Sequence, residues 1–156
     1  MSLRITSSVI PSGKRIPKDY TGDGADRSPP LSWSEVPDGT EEFALICDDP
    51  DAPTAVPWVH WIVYGIPADC RELSEGGPAK SDKHLTQGCN SWPAGHNIGY
   101  RGPAPPRGHG THHYHFRLYA LDRKLNAAPG LDKRSLLDLM VGHILESAEL
   151  VGTYER

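Results

Sequence analysis

Three short stretches of this chain carry residue types suited to chemistry. The first is Asp48-Asp49-Pro50-Asp51-Ala52-Pro53. A residue that precedes proline is pushed into extended conformations and proline itself has a fixed φ, so this turn is stiff and its carboxylates are held in defined directions. Such aspartates commonly serve as Asx turns that satisfy backbone amides, yet a rigid loop is also where binding groups are placed. The second is His60, seven residues after Pro53 in the run Trp58-Val59-His60-Trp61-Ile62. Alternation along a strand puts His60 on the face of Trp58 and Ile62, where a nearby carboxylate could orient the imidazole and favour its charged form.

The third stretch runs from Gly102 through Pro105, Pro106 and Gly110 to His112, His113, Tyr114 and His115. In a strand His112, Tyr114, Phe116 and Leu118 face one way, and His113, His115, Arg117 and Tyr119 the other. One face thus offers an imidazole and a phenol directly after a stiff Pro/Gly loop, a donor set suited to an anion. The opposite face supports a rival reading, a cupin-like metal enzyme with His113 and His115 as ligands. That site also wants a glutamate and a further histidine from a facing strand, and Arg117, Tyr119 and Asp122 stand downstream instead. The GxSxG, HExxH, GxxxxGK[ST] and GxGxxG motifs are absent. Asp49-x-Asp51 does not open a calcium loop, because Pro53 takes the third ligand position.

The elements that must position these groups follow from pattern. Glu42 to Cys47 is apolar on both faces and reads as a central, fully buried strand. Trp58 to Ile66 and Thr111 to Leu121 read as two further strands. Residues 11–40 are rich in Pro and Gly and predict turns with short strands between. The irregular stretch from Pro67 to Pro103, with glycines at 76, 77, 88, 95, 99 and 102, predicts short pairing near Leu85-Thr86-Gln87 and a pocket wall at its end. Leu136, Leu137, Met140, Val141, Ile144, Leu145 and Ala148 keep a helical period, with Asp132 as N-cap, Leu131 and Leu136 as a hydrophobic staple and Gly142 as a point of close packing.

Composition narrows the class. A chain of 156 residues reads as one domain over 1–156, and 15 prolines with 16 glycines argue against a helical bundle. Sixteen basic against 20 acidic residues, with no Lys/Arg cluster, argue against a nucleic-acid partner. No apolar run reaches transmembrane length and the N-terminus lacks a signal-like apolar stretch, so the expected location is cytoplasmic. Cys47, Cys70 and Cys89 form no CxxC pair and read as free thiols.

Taken in order, Asp49-Pro50-Asp51-Ala52-Pro53, Trp58-x-His60-Trp61, Gly102-x-x-Pro105-Pro106 and Gly110-x-His112-x-Tyr114 resemble the signature regions of the phosphatidylethanolamine-binding (Raf kinase inhibitor-like) family. Pro29-Pro30-Leu31-Ser32-Trp33 and the segment from Gly142-His143 to Tyr154 resemble its prokaryotic branch. The resemblance implies a mostly β fold, a two-sheet antiparallel β-sandwich with a C-terminal helix. It also implies a non-catalytic pocket, with no cofactor and no metal, for phosphate, acetate or a phosphorylethanolamine head group. By position Asp49, His60, His112 and Tyr114 would contact the anion, with Asp51 aimed into the cleft beside them and Gly110 next to His112. Pro53, Trp58, Gly102, Pro105 and Pro106 would shape the walls. Partners implied by the family are a small anionic or phosphorylated ligand and a protein kinase or protease. His113 stands where the eukaryotic pattern has arginine, which weighs against kinase-type regulation. The family further suggests a cis Ala52–Pro53 bond, aiming Asp49 and Asp51 into the cleft, and a homodimer through the apolar surface of Leu137, Val141 and Leu145.

Overall fold

The computed structural model describes residues 2–76, 85–95 and 97–156. Residues 77–84, including Gly77 of the irregular stretch, lie outside the described set. Strands β1 (Arg4–Thr6), β2 (Leu31–Ser34) and β5 (Glu72–Leu73) form a small sheet in the order β1-β2-β5. Strands β3 (Glu42–Asp49), β4 (Trp58–Pro67), β6 (Thr86–Gln87), β7 (His112–Leu121) and β8 (Ile144–Tyr154) form a larger one in the order β6-β4-β3-β7-β8. The strand pairs within both sheets are antiparallel. Among the described residues, a 3-10 turn (Lys18–Tyr20) and the helix α1 (Lys133–Met140) complete the elements.

The sandwich follows from which faces are apolar. Ile5, Leu31, Trp33 and Leu73 of the small sheet pack with Phe43, Leu45, Trp61, Val63, Phe116 and Leu118 of the large one as the main core. A second core lies on the other face of the large sheet, where Leu136 and Met140 of α1 cover Ala44, Ile46, Ile62 and Tyr64. Strand β3 runs between the two cores and all eight of its residues are buried, as its double-sided apolar pattern requires. Asp132 caps α1, accepting from the Ser135 N–H at 2.8 Å, and Leu131 packs against the same core as Leu136.

The helical reading of the C-terminal segment is corrected beyond Met140. Gly142 has φ +80° and nothing within 4 Å of where a Cβ would sit, so it turns the backbone and does not mark close packing. From Ile144 the chain is a strand that pairs with β7 from Leu121↔Ile144 to His112↔Tyr154. Leu150, Gly152 and Tyr154 alternate inward there. Ile144 and Ala148, four apart, satisfy both periods, and the long open edge of β7 decides between them, with Leu145 left unmatched at an irregularity in the ladder. Strand β1 is too short, at three residues, to leave a readable pattern.

Consecutive aspartates at the end of β3 go to opposite faces. Asp48, 1% exposed, is bridged by Arg117 Nη1 at 2.9 Å and Lys133 Nζ at 2.6 Å, which fastens β7 and α1 to the central strand. Removing Arg117 leaves the buried Asp48 carboxylate with Lys133 as its remaining cationic partner. Arg117→Leu should therefore cost about 1.5–3 kcal/mol in urea unfolding, the worth of a hydrogen bond to a charged group, and the loss should be smaller in an Asp48→Asn background. Strictly additive losses in the double mutant would show that the pairing carries no stability.

Candidate functional site

Asp49 is the other half of that division and opens on the main-core face of β3. Its Oδ1 accepts from the Asp51 backbone N–H at 2.8 Å, an Asx turn, while its Oδ2 lies 2.6 Å from His112 Nδ1. The carboxylate is 3% exposed and its direction is fixed from both ends. The cis Ala52–Pro53 bond implied by the resemblance is not found, since every peptide bond among the described residues is trans. The Asx turn aims Asp49 without it. Asp51 is also corrected: it turns outward, where Oδ2 accepts from the His113 backbone N–H and lies 2.8 Å from His113 Nδ1. Burial works to raise its pKa, but those bonds outweigh it and hold the carboxyl below its ordinary value.

His60 reaches the site through a bulge. In the β3–β4 register Cys47 faces Trp61 and Asp48 faces Val59, so His60 is the extra residue, unmatched across the ladder. The bulge overturns simple alternation: Ile62 points into the second core, while His60 lines the cleft with Trp58. Its backbone carbonyl accepts from the Arg101 N–H at 3.0 Å. Its ring stands edge-on to Trp92 and to Tyr114, each with centroids 5.1 Å apart. Nδ1 lies 2.6 Å from the Arg101 carbonyl oxygen, which can only accept, so Nδ1 carries the proton and Nε2 is bare in the neutral ring. Burial pushes the His60 pKa down to about 4, against the smaller opposing pull of the Arg101 carbonyl and the Asp49 carboxylate.

These groups meet in a cleft of about 320 Å³. Asp49, Pro53, Trp58, His60, Pro105, Pro106, His112 and Tyr114 line it, together with Ala52, Thr54, Trp92 and Ala104, which the sequence reading did not single out. The Tyr114 phenol is kept neutral, because burial and then the Asp49 charge raise its pKa. Gly102 and Gly110 lie outside the lining. Gly102 works from behind: a Cβ there would meet the Tyr20 carbonyl oxygen at 2.3 Å and Asp26 Oδ1 at 2.6 Å, and its N–H donates to that Asp26 oxygen at 2.7 Å. The proline wall is thereby pinned to residues 20–26, and Asp26 is a positioning residue that no sequence motif marks.

The opposite face of β7 offers no comparable gathering. His113 is engaged by Asp51, and His115 Nδ1 lies 3.2 Å from Glu149 Oε2 but out of line for a hydrogen bond. Among the described residues no group of three or more His, Cys, Asp or Glu side chains is placed to hold a metal ion. The cupin-like reading therefore gains no support.

The family model for phosphatidylethanolamine-binding protein matches residues 6–155. A UPF0098 protein of Methanothermobacter thermautotrophicus is 48% identical over 144 residues, covering 91% of each chain. One of Pyrococcus horikoshii is 46% identical over 160 residues, covering all of this chain and 78% of its own length. Among solved structures, the phosphatidylethanolamine-binding protein homologue CT736 of Chlamydia trachomatis superposes with a TM-score of 0.87 at 40% identity, over 99% of this chain and 98% of its own. YbcL of E. coli gives 0.88 at 30% identity, over 100% and 99%.

The buried, neutral His60 has a consequence for stability. The unfolded chain takes up a proton near the ordinary imidazole value of 6.5, the folded protein only near 4. Its contribution is therefore whole above about 6.5 and is lost as pH falls to about 4. Between pH 7 and pH 4 the wild type should lose about 3 kcal/mol more unfolding free energy than His60→Gln does. A difference between the two proteins that does not vary with pH would contradict a neutral His60.

Proposed function

We propose, on the premise that the chain belongs to the phosphatidylethanolamine-binding protein family, that its cleft is a non-catalytic site for an anionic, phosphate-bearing ligand. The candidates are a phospholipid head group, a phosphorylated small molecule or a phosphorylated protein group, and the site would sit in one unit spanning 1–156. The observation that carries this reading is the convergence of His60, His112, Tyr114 and the orienting Asp49 in one small cleft walled by Pro53, Trp58, Trp92, Pro105 and Pro106. Tyr114 is a neutral donor, His60 becomes a donor at Nε2 when it takes up a proton, and His112 becomes one when its Nε2 is released from His109. The apolar wall excludes water and strengthens those bonds. Regulation of a kinase or protease would follow from occupancy of this cleft by a phosphorylated group. None of the described helices is long and apolar enough to cross a membrane. The proposed location is cytoplasmic, although a relative in Mycobacterium tuberculosis, 40% identical over 154 residues, is named a lipoprotein.

A homodimer is the second part of the proposal. Val141, 71% exposed, together with Ile144 and Leu145 at 43% and 38%, leaves an apolar patch where α1 turns into the edge strand β8. Leu137, grouped with this surface on sequence, packs instead against the second core. Sedimentation at tens of micromolar should give a dimer that Val141→Glu dissociates. A 17.1 kDa monomer at high concentration would remove the dimer from the proposal.

The binding reading is tested by calorimetric titration with inorganic phosphate and phosphorylethanolamine. Charge-assisted hydrogen bonds are worth about 1.5–3 kcal/mol each. His112→Ala, which also leaves Asp49 unpaired, should thus weaken binding by about tenfold or more. His115→Ala should bind as the wild type does, because its ring lies on the other face. Sulfate keeps its charge throughout, so its affinity should rise as pH falls toward about 4, where His60 takes up its proton. Unchanged anion binding in His112→Ala, with a metal lost from His115→Ala, would favour the opposite face instead.

A further inference from the structure

His109 lies between the proline wall and β7 and is exposed, yet its ring is not idle. Its Nδ1 is 2.6 Å from Nε2 of His112, and the two ring centroids are 4.9 Å apart. His112, itself 1% exposed, is held at its other nitrogen by Asp49, again at 2.6 Å. Both nitrogens of the central imidazole are thus engaged. A bond between two ring nitrogens needs one N–H and one lone pair. With His112 Nδ1–H given to Asp49, either His109 donates to a bare Nε2, or a charged His112 donates to both neighbours. In neither form does His112 keep an N–H for a ligand.

The loop that carries His109 is built to move. Gly108 and Gly110 flank it with φ of +74° and +93°, and nothing lies within 4 Å of where either Cβ would sit. Its ties are light: Gly108 N–H to the Arg156 carbonyl and His109 N–H to the Pro106 carbonyl, both at 3.2 Å, and an exposed Thr111–Glu155 bond at 3.1 Å. No apolar contact of the main core has to break for the ring to swing outward.

We propose that His109 is a latch on the anion site: in the free protein it occupies the His112 nitrogen that the anion needs, and an entering anion must displace it. The inference rests on the anion-binding reading above. A second proton on the pair would set two N–H groups against each other, which drives His109 out and leaves His112 Nε2–H for the ligand. The groups that set the field at this pair are Asp49 at the end of β3, Asp51 beyond it, His60 on β4, Tyr114 on β7, and Glu155 and Arg156 after β8. Asp49 and Asp51 favour the added proton, while Arg156 opposes it.

The test is titration of inorganic phosphate into the wild type and His109→Ala, at pH 8 and pH 5.5, with imidazole nitrogen resonances followed by NMR. His109 is exposed, so the variant keeps the fold. At pH 8 the variant should bind about threefold to tenfold more tightly, the worth of one competing hydrogen bond. Lowering the pH adds protons to the pair, so the advantage of the variant should be smaller at pH 5.5 than at pH 8. The His112 Nε2 resonance should differ between the free wild type and the free variant, and phosphate should bring the two to a common position. Equal affinities at both pH values overturn the latch and leave the site's assignment standing. Weaker binding in the variant also overturns it, making His109 a ligand. Binding by the variant alone supports the latch in its strongest form, and binding by neither protein removes latch and anion site together.

Discussion

The end of strand β3 governs the rest of the molecule. Its residues are buried on both faces, so two consecutive carboxylates there must each find partners on opposite sides of the sheet. A buried charge without partners is not tolerated. Asp48 takes Arg117 and Lys133 on the helix side, and Asp49 takes the Asp51 N–H and His112 on the cleft side. The first pairing fixes α1 against the back of the sheet, and the second sets the site. Both depend on the same two-residue period, so a one-residue slip of β3 would exchange the structural carboxylate for the functional one.

A second constraint is the bulge at His60. An ordinary ladder would send His60 and Ile62 to the same side, whereas here the extra residue releases Ile62 to the second core and leaves His60 in the cleft. The cost is an imidazole in an apolar wall of Trp92 and Tyr114 rings, met by giving its Nδ1 proton to the Arg101 carbonyl. That bond ties the ring's orientation to the segment leading into the proline wall. Gly102 and Asp26 then hold the wall from outside, at a separation only a glycine permits.

What could be read from sequence divides along physical lines. Strands β3, β4 and β7 were legible because their side-chain period is carried by each strand alone. The split of His112 and Tyr114 from His113 and His115 was legible for the same reason, and burial follows it. The pattern beyond Met140 reads as helix because the four-residue spacing of Ile144 and Ala148 fits both periods, and only the edge of β7 selects the strand. The His60 bulge is a property of a register between two strands, so no pattern within β4 could disclose it. Asp51 lay in the right motif but was claimed by His113, a competition visible only once the strand is in place. Trp92 and His109 sit in irregular segments where periodicity has nothing to say, and only the folded chain brings Trp92 to the cleft and His109 to His112.

The same distinction, between the residue types present and the hydrogen bonds they already make, bears on how the cleft can meet a negative charge. Its described lining contains no lysine or arginine, and its one fixed charge is the Asp49 carboxylate. His60 is neutral with a bare nitrogen turned from its backbone partner, and His112 is engaged at both ends. Under the proposed function, then, attraction for an anion is not stored in the resting protein but arises as protons enter with the ligand. A guanidinium would give a permanent attraction and a site slow to empty. Imidazoles under the restraint of a buried carboxylate give instead an affinity that follows their protonation, with the apolar walls supplying the part that does not vary. Such a cleft is suited to reversible occupancy, because the protons taken up on binding leave again when the ligand does.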